Sequence, residues 1–257
     1  MRSAPYRYHA LYLVPRDGRG RFRAVAAELQ AGALGASALL ERLYGRAIRF
    51  DMGTSCGRRY LDISRVRLSA ARARLRRAAE SEDRAALFNL IREEMQRKGF
   101  WLAGDGPDYR WRSAKQTVNY VAWLDGPSPA AACGQGTSLI DSRRVFWNAN
   151  NLGGKLALVY RRGDGFCGAD TVRHEIGHNL GALQPRAPHT RDGAHCTDAL
   201  EDTMCDSRAP AVASGTRYAR YFDYGNDDYW DPPNGRPLRW WTVNLSWFLC
   251  PDARCNR

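Results

Sequence analysis

The stretch His-Glu-Ile-Gly-His-Asn-Leu-Gly at residues 174–181 decides how this chain is interpreted. His174 and His178 are four residues apart, so on a helix their rings lie one above the other and can reach the same metal ion. Gly181 comes three residues after the second histidine, where a helix that ends in a left-handed turn favours glycine. The pattern predicts a helix that carries two metal ligands and ends at Gly181.

Glu175, beside the first histidine, adds a carboxylate to this pair. Neutral nitrogen donors suit Zn²⁺, which is held tetrahedrally and keeps one position open for water when it is catalytic. A carboxylate next to the ligand pair can act as general base on that water without binding the metal. We therefore predict Zn²⁺ as cofactor, His174 and His178 as ligands, and Glu175 as the catalytic residue.

About twenty residues further on, Asp-Thr-Met-Cys at 202–205 has the character of a turn that carries a methionine. HExxHxxG followed by such a Met-turn resembles the metzincin clan of zinc endopeptidases. With Gly-Ala-His-Cys at 193–196 and Asp-Asp-Tyr at 227–229, the chain is similar to secreted actinobacterial metzincin-like proteins. The resemblance covers most of the chain, although its specific motifs lie between residues 174 and 230. It implies an endopeptidase acting on protein or peptide substrates, with Met204 packed as an apolar base beneath the metal.

The third metal ligand does not follow the metzincin pattern. That pattern has a histidine or aspartate six residues after the second histidine, and here the position holds Gln184. An amide oxygen is a poor zinc ligand beside imidazole or carboxylate. Three histidines remain: His9 falls in a predicted strand, whereas His189 and His195 both follow the helix.

His195 is the favoured third ligand, because Cys196 and Cys205 could tie its loop to the Met-turn. His189 is the runner-up, and Asp198 and Gln184 come behind both. For either histidine, a solvated loop residue with no ligand role stays an open alternative.

The Met-turn departs from the family pattern in a second way. Some metzincins have a tyrosine two residues after the methionine that stabilises the oxyanion, and here that position is Asp206. Three later tyrosines could supply a phenol, and the sequence does not choose among Tyr218, Tyr221 and Tyr224. Together with Gln184, this departure keeps open an alternative function, a catalytically inactive zinc-binding protein that acts as a binding module.

Apolar periodicity predicts interleaved strands and helices up to about residue 160, then the metal-binding helix, then a loop-rich tail. We expect an α+β fold with one metzincin-like domain over residues 1–257. Its upper subdomain, about 1–183, holds a mixed twisted sheet with helices, and its lower subdomain, about 184–257, is irregular. The predicted strands are 8–14, 47–52, 61–68, 118–124 and 156–160, and the predicted helices, besides the metal-binding one, are 22–44, 69–79 and 82–98.

Seven cysteines without a CxxC pair argue against a cysteine-built zinc site. Short separations favour disulfides 196/205 and 250/255, and 133/167 is a plausible third bridge that would leave Cys56 unpaired. Sequence does not determine the connectivity, and reduced buried cysteines are the alternative. Disulfides indicate an oxidising, extracellular setting. Because the sequence opens without a signal peptide, we expect a secreted protein trimmed to its mature form. No apolar run approaches the length of a membrane span.

The net charge is +12, and the densest basic run, Arg65–Arg77, could attract nucleic acid, acidic cell-wall polymers or acidic substrates. A solvated helix face is the simpler interpretation, and no nucleic-acid motif accompanies the run. A basic surface-binding protein is nevertheless a further alternative function. Residues 223–228 gather three carboxylates and an amide that could bind Ca²⁺, although they lack EF-hand spacing. The oligomeric state is left open, with a monomer as the expectation.

Overall fold

A mostly parallel β-sheet forms the centre of the computed structural model, which describes residues 6–102, 116–212, 220–251 and 253–256. The main sheet has the order β5-β1-β6-β8-β7. Strands β5, β1, β6 and β8 are parallel, β7 closes one edge antiparallel to β8, and the short β9 also pairs with β8. The strands among the described residues are β1 Arg7–Val14, β2 Ala47–Ile48, β3 Met52–Thr54, β4 Gly57–Leu61, β5 Ile63–Arg67, β6 Val118–Leu124, β7 Gly134–Gly136, β8 Leu156–Arg162, β9 Gly165–Phe166 and β10 Leu249–Cys250.

Helices cover both faces of this sheet. Side chains of α1 and α4 form one core with one face, and those of α2 and α3 form a second core with the other. Strands buried on both faces are continuously apolar, which is why residues 8–14 and 118–124 could be recognised from composition. The four α-helices of the described residues are α1 Phe22–Tyr44, α2 Arg72–Ala79, α3 Ala86–Arg97 and α4 Ala169–Leu180. This arrangement agrees with the predicted α+β class.

The sequence-based prediction was wrong where strands are short. The strand predicted over 47–52 is two separate pieces, β2 and β3, and the one predicted over 61–68 begins as β4 and continues as β5 after Asp62. Strands β7 and β9 were not predicted. Both contain glycine and are only two or three residues long, so they offer no apolar alternation to detect.

Two glycines in the middle of α1 mark its contact with α4. A Cβ on Gly35 would lie 2.9 Å from the Cβ of Ala169, and one on Gly32 would lie 3.7 Å from Val172 Cγ2. The glycines weaken the intrinsic preference of α1 for helix. In return, the absence of a side chain at Gly35 lets the two helices approach closely.

Regular structure is sparse after α4. In this part of the described chain the only strand is β10, which pairs antiparallel with β2 and so attaches residues 249–250 to the segment that follows α1. All three predicted disulfides are formed, Cys133–Cys167, Cys196–Cys205 and Cys250–Cys255, and Cys56 is free and exposed. Within the described residues, no helix is both long enough and apolar enough to cross a membrane.

Candidate metal centre

Helix α4 positions the sequence motif. Val172, Ile176 and Leu180 are fully buried in the core against the sheet, and Asn179 donates hydrogen bonds to two backbone carbonyls at the sheet, 3.1 Å each. The helix ends at Gly181, whose φ of 78° is left-handed. Because the apolar face fixes the rotation of α4, the side chains of His174 and His178 are directed away from the sheet core.

Three imidazoles converge beside this helix. His174 Nε2 and His178 Nε2 are 3.1 Å apart. The ring of His195 lies 5.4 Å from that of His174 and 5.2 Å from that of His178, and one nitrogen of each residue lies within 4.8 Å of the others. Two nitrogens bound to one tetrahedral zinc would be about 3.4 Å apart, from bonds of about 2.05 Å. The separation between the two helix histidines is close to that value.

Hydrogen bonds orient two of the three rings. His174 Nδ1 donates to the backbone oxygen of Thr203 at 2.7 Å, so its Nε2 carries the lone pair. His195 Nδ1 lies 3.1 Å from Asp192 Oδ2. Metal-binding histidines commonly donate their other ring nitrogen to a carbonyl or carboxylate in this way.

Burial sets the charge of the site. It lowers the pKa of His174 to about 4 and holds the pKa of His178 well below its ordinary value, so both rings are neutral at pH 7. Zinc requires neutral imidazoles. Burial also raises the pKa of Glu175 to about 8. The donor set of these three histidines therefore fits a Zn²⁺ ion.

Strand β7 lies directly against the carboxylate of Glu175. A Cβ on Gly134 would come within 2.6 Å of Glu175 Oε1, and one on Gly136 would come within 2.9 Å of His178 Cβ. Only glycine allows this approach without displacing α4 or the carboxylate. Sequence reasoning missed these residues, and the Gly-x-Gly spacing at 134–136 was the one available signal.

The Met-turn lies beneath the helix. Met204 is fully buried, and a side chain at Gly177 would overlap its sulfur. Cys196, next to His195, is joined to the turn by the disulfide to Cys205 and by a 3.1 Å hydrogen bond from its backbone N–H to Met204 O. The segment that carries His195 is thus fixed to the turn that packs under α4.

A cavity of about 1070 Å³ opens in front of these groups. Residues of β7, α4 and the Met-turn line it, together with Phe88 at the end of α3 nearest the site. No tyrosine is among the described residues that line it, so Tyr221 and Tyr224 lie outside its wall, and Tyr218 lies outside the described residues. Asp206, at the position where some metzincins have a tyrosine, lines the cavity. It accepts a 2.9 Å hydrogen bond from Arg208, which lowers the pKa of its carboxyl.

No known protein family matches this chain. No curated protein matches it either. Among solved structures, it is similar to catalytically inactive OgpA from Akkermansia muciniphila, in complex with an O-glycopeptide (glycodrosocin) substrate, with 10% identity and a TM-score of 0.31. The match covers 76% of this chain and 44% of OgpA, so the chain spans less than half the length of that protein. Any functional conclusion has to come from the geometry of the site.

Gln184, at the position of the third ligand in the metzincin pattern, makes its hydrogen bonds elsewhere. Its side-chain oxygen accepts a 2.9 Å hydrogen bond from the backbone N–H of Asp141, and its NH₂ donates to the carbonyls of Leu139 and Gly181. The residue is buried. Gln184 therefore ties the end of α4 to the loop after β7.

The other candidate ligands also lie apart from the three histidines. His189 and Asp198 belong to a different cluster, with Asp227 and Asp228. His9 belongs to β1, and its Nδ1 lies 3.1 Å from Asp51 Oδ2.

The proposed calcium segment, residues 223–228, does not direct its oxygens to one point. Asp223 accepts hydrogen bonds from the backbone N–H groups of Tyr229 and Trp230, and Asn226 accepts one from the hydroxyl of Tyr44. The last two aspartates face the cluster around His189 instead.

Proposed function

We propose that this protein is a zinc-dependent endopeptidase that hydrolyses peptide bonds in protein substrates. The observation that carries the proposal is the convergence of three imidazoles beside a buried carboxylate in an open cavity. His174, His178 and His195 would hold the ion. When bound, Zn²⁺ supplies a Lewis acid for the scissile carbonyl and lowers the pKa of water.

Glu175 performs the proton transfers in this proposal. It lines the cavity and takes a proton from the attacking water, then delivers that proton to the leaving amine. A carboxyl whose pKa lies near the working pH can both take up a proton and release it, and burial moves the pKa of Glu175 towards that range. The glycines of β7 keep the carboxylate pressed against α4, which limits the orientations it can adopt.

Strand β7 is the natural place for substrate. It is an edge strand of the main sheet and lines the cavity beside Glu175. An extended peptide that pairs with the free edge of β7 would pass in front of the three histidines, which is recognition by strand addition. We therefore propose that substrates bind in extended form, with the backbone supplying much of the affinity.

The test is hydrolysis of casein and of a peptide library by the zinc-loaded protein. Glu175→Ala should retain its zinc and lose activity by about 10²–10⁴-fold, the usual contribution of a general base. Glu93→Ala, an exposed glutamate on α3, is the matched control and should keep full activity. Activity that survives both Glu175→Ala and a chelator would overturn the proposal.

The role of His195 has its own test. His195→Ala should lower the zinc content by the same amount as His174→Ala, because each removes one of three ligands. Full zinc retention in His195→Ala would remove this residue from the site.

A second candidate function is a zinc-binding protein without peptidase activity. The cavity wall described above has no tyrosine, and Asp206 stands at the position of the family tyrosine. Stoichiometric zinc without turnover of any library peptide would favour this candidate. A basic surface-binding protein is supported only by exposed arginines on β5 and α2, on the sheet edge opposite β7. It predicts salt-sensitive polyanion binding that a chelator does not change.

We further propose an extracellular location, which the three disulfides support.

A further inference from the structure

We propose a second metal site, which binds a divalent cation such as Zn²⁺ and is formed by His189, Asp198, Asp227 and Asp228. One ligand atom of each residue lies within 4.8 Å of all the others. His189 Nδ1 is 3.3 Å from Asp228 Oδ2, 3.7 Å from Asp227 Oδ1 and 3.9 Å from Asp198 Oδ2. This cluster, called the His189 cluster below, shares no residue with the three-histidine centre.

Two carboxylate oxygens of the His189 cluster lack hydrogen-bond donors. Asp198 Oδ2 and Asp227 Oδ1 are buried atoms without a hydrogen-bond donor in the described part of the chain. These are the same two atoms that face His189 Nδ1. The side chain of Asp228 is fully buried. Its Oδ1 accepts a hydrogen bond from the backbone N–H of His189 at 2.9 Å, and its Oδ2 is hydrogen-bonded to His189 Nδ1 at 3.3 Å.

The charge of the cluster calls for a cation. Three carboxylates share one imidazole, and among the described side chains no lysine or arginine forms a salt bridge with any of them. Buried carboxylate oxygens without donors or counter-charge are costly. A divalent ion among the four ligand atoms would neutralise most of this charge and satisfy the unpartnered oxygens together.

The donor set favours zinc over calcium. Ca²⁺ takes six to eight oxygen ligands, whereas zinc readily combines imidazole and carboxylate. Ligand atoms on a tetrahedral zinc are about 3.4 Å apart, and the three distances from His189 Nδ1, which run from 3.3 to 3.9 Å, lie close to that value. The side chains of His189 and Asp227 are 39% and 48% exposed, so an ion can enter from solvent.

The His189 cluster lies at the base of the segment that presents His195. The backbone N–H of Thr197 donates to His189 O at 2.9 Å, and that of Arg191 donates to His195 O at 3.0 Å, so residues 189–197 form a small hairpin. An ion held by His189 and Asp198 on one side and by residues 227–228 on the other would join this hairpin to the C-terminal part of the chain. The second site does not depend on the proposed peptidase function.

The first experiment removes the three-histidine site. In a His174→Ala/His178→Ala background, dialysed protein should still hold about one zinc per chain by elemental analysis, and added zinc should raise its Tm. Adding His189→Ala should abolish both effects. Adding Asp164→Asn instead, at an exposed aspartate in the turn after β8, should leave both unchanged. A background protein that binds no zinc, or binding that survives His189→Ala, would overturn the proposal.

The second experiment uses the otherwise intact protein, in case the background variant does not fold. Zinc content should be about two per chain in the wild type and about one in either His189→Ala or Asp227→Asn, whose altered side chains are partly exposed. Peptidase activity is measured separately, so an inactive protein with two zinc ions would contradict only the proposed function. A wild type with one zinc, or one that takes calcium and not zinc at the His189 cluster, would contradict the second site.

Discussion

The chain before Gly181 and the chain after it both contribute buried apolar side chains, but they differ in backbone structure and in the polar groups they bury. The first part is a sheet covered by helices, and its core contains fully or almost fully buried apolar side chains such as Trp123 and Leu29. The second part has little regular structure among its described residues. Its interior includes the Cys196–Cys205 disulfide and the buried carboxylates of Asp202 and Asp223.

The proposed zinc site draws on both parts. Helix α4 presents His174 and His178 through its own periodicity, and its position is fixed by apolar packing. The second part presents His195 through specific connections, namely a disulfide, hydrogen bonds and the proposed second metal. Apolar packing tolerates many substitutions of similar volume, whereas a disulfide, a hydrogen bond or a metal bond depends on particular atoms. The two halves of the site should therefore respond differently to mutation.

The largest effect on stability is expected in the core beneath the main sheet. Trp123→Ala removes an almost fully buried indole between β6 and the α1–α4 face, and should lower the free energy of unfolding by about 3–5 kcal/mol. Urea denaturation followed by circular dichroism measures it. Trp247→Ala, at a 37% exposed tryptophan of the second part, is the control and should cost less. Equal losses would show that burial does not set the contribution of Trp123 to stability.

The disulfide of the second part should have a smaller effect on stability and a specific effect on zinc. Cys196→Ser/Cys205→Ser opens a loop with a sequence separation of 9 and should cost about 2–3 kcal/mol by loop-closure entropy. Zinc affinity should also fall, because Cys196 adjoins His195. Cys250→Ser/Cys255→Ser is the matched control, and should destabilise the protein without changing zinc affinity. If the first variant bound zinc like the wild type, the disulfide would not position His195.

The buried carboxylates should give the second part a pH dependence. Burial raises the pKa of Asp223 from 3.8 to about 9, so the native carboxyl keeps a proton that the unfolded chain releases. The stability that this proton contributes is fully present below about pH 4 and is lost as the pH rises towards 9. Relative to Asp223→Asn, which does not titrate, wild-type stability should fall by at most about 1.4 kcal/mol per pH unit.

Urea titrations of wild type and Asp223→Asn between pH 5 and 8 measure this difference. A constant difference across that range would mean that the carboxyl is ionised in the folded protein. Asp164→Asn, exposed to solvent, should show no such trend.

The smallest effect is expected within α1. Gly32→Ala places a methyl group 3.7 Å from Val172 Cγ2, an ordinary contact, and should stabilise the protein by about 0.5–1 kcal/mol. Gly35→Ala places one 2.9 Å from Ala169 Cβ and should destabilise it. Thermal unfolding of the pair measures the contrast. Stabilisation by both substitutions would mean that the contact between α1 and α4 is looser than described.

The sequence alone determined the features that depend on local spacing. His174 and His178 share a face because a helix repeats every 3.6 residues, and Gly181 ends that helix because only glycine adopts its left-handed φ at little cost. The bounds of α1 were predicted correctly from apolar positions, and the Cys196–Cys205 and Cys250–Cys255 disulfides from short cysteine spacing. Such features depend on residues close together in the sequence, so they do not require knowledge of how the rest of the chain folds.

Tertiary structure decided what depends on distant residues. No periodicity in the sequence predicts the approach of His195 to α4 or the contact of β7 with Glu175. The same is true of the grouping of His189 with Asp227 and Asp228. The residues in each grouping come from segments that are irregular or very short, so their alignment is set by packing and cross-links elsewhere. Residue spacing does not predict these contacts, because their geometry depends on how the intervening chain folds.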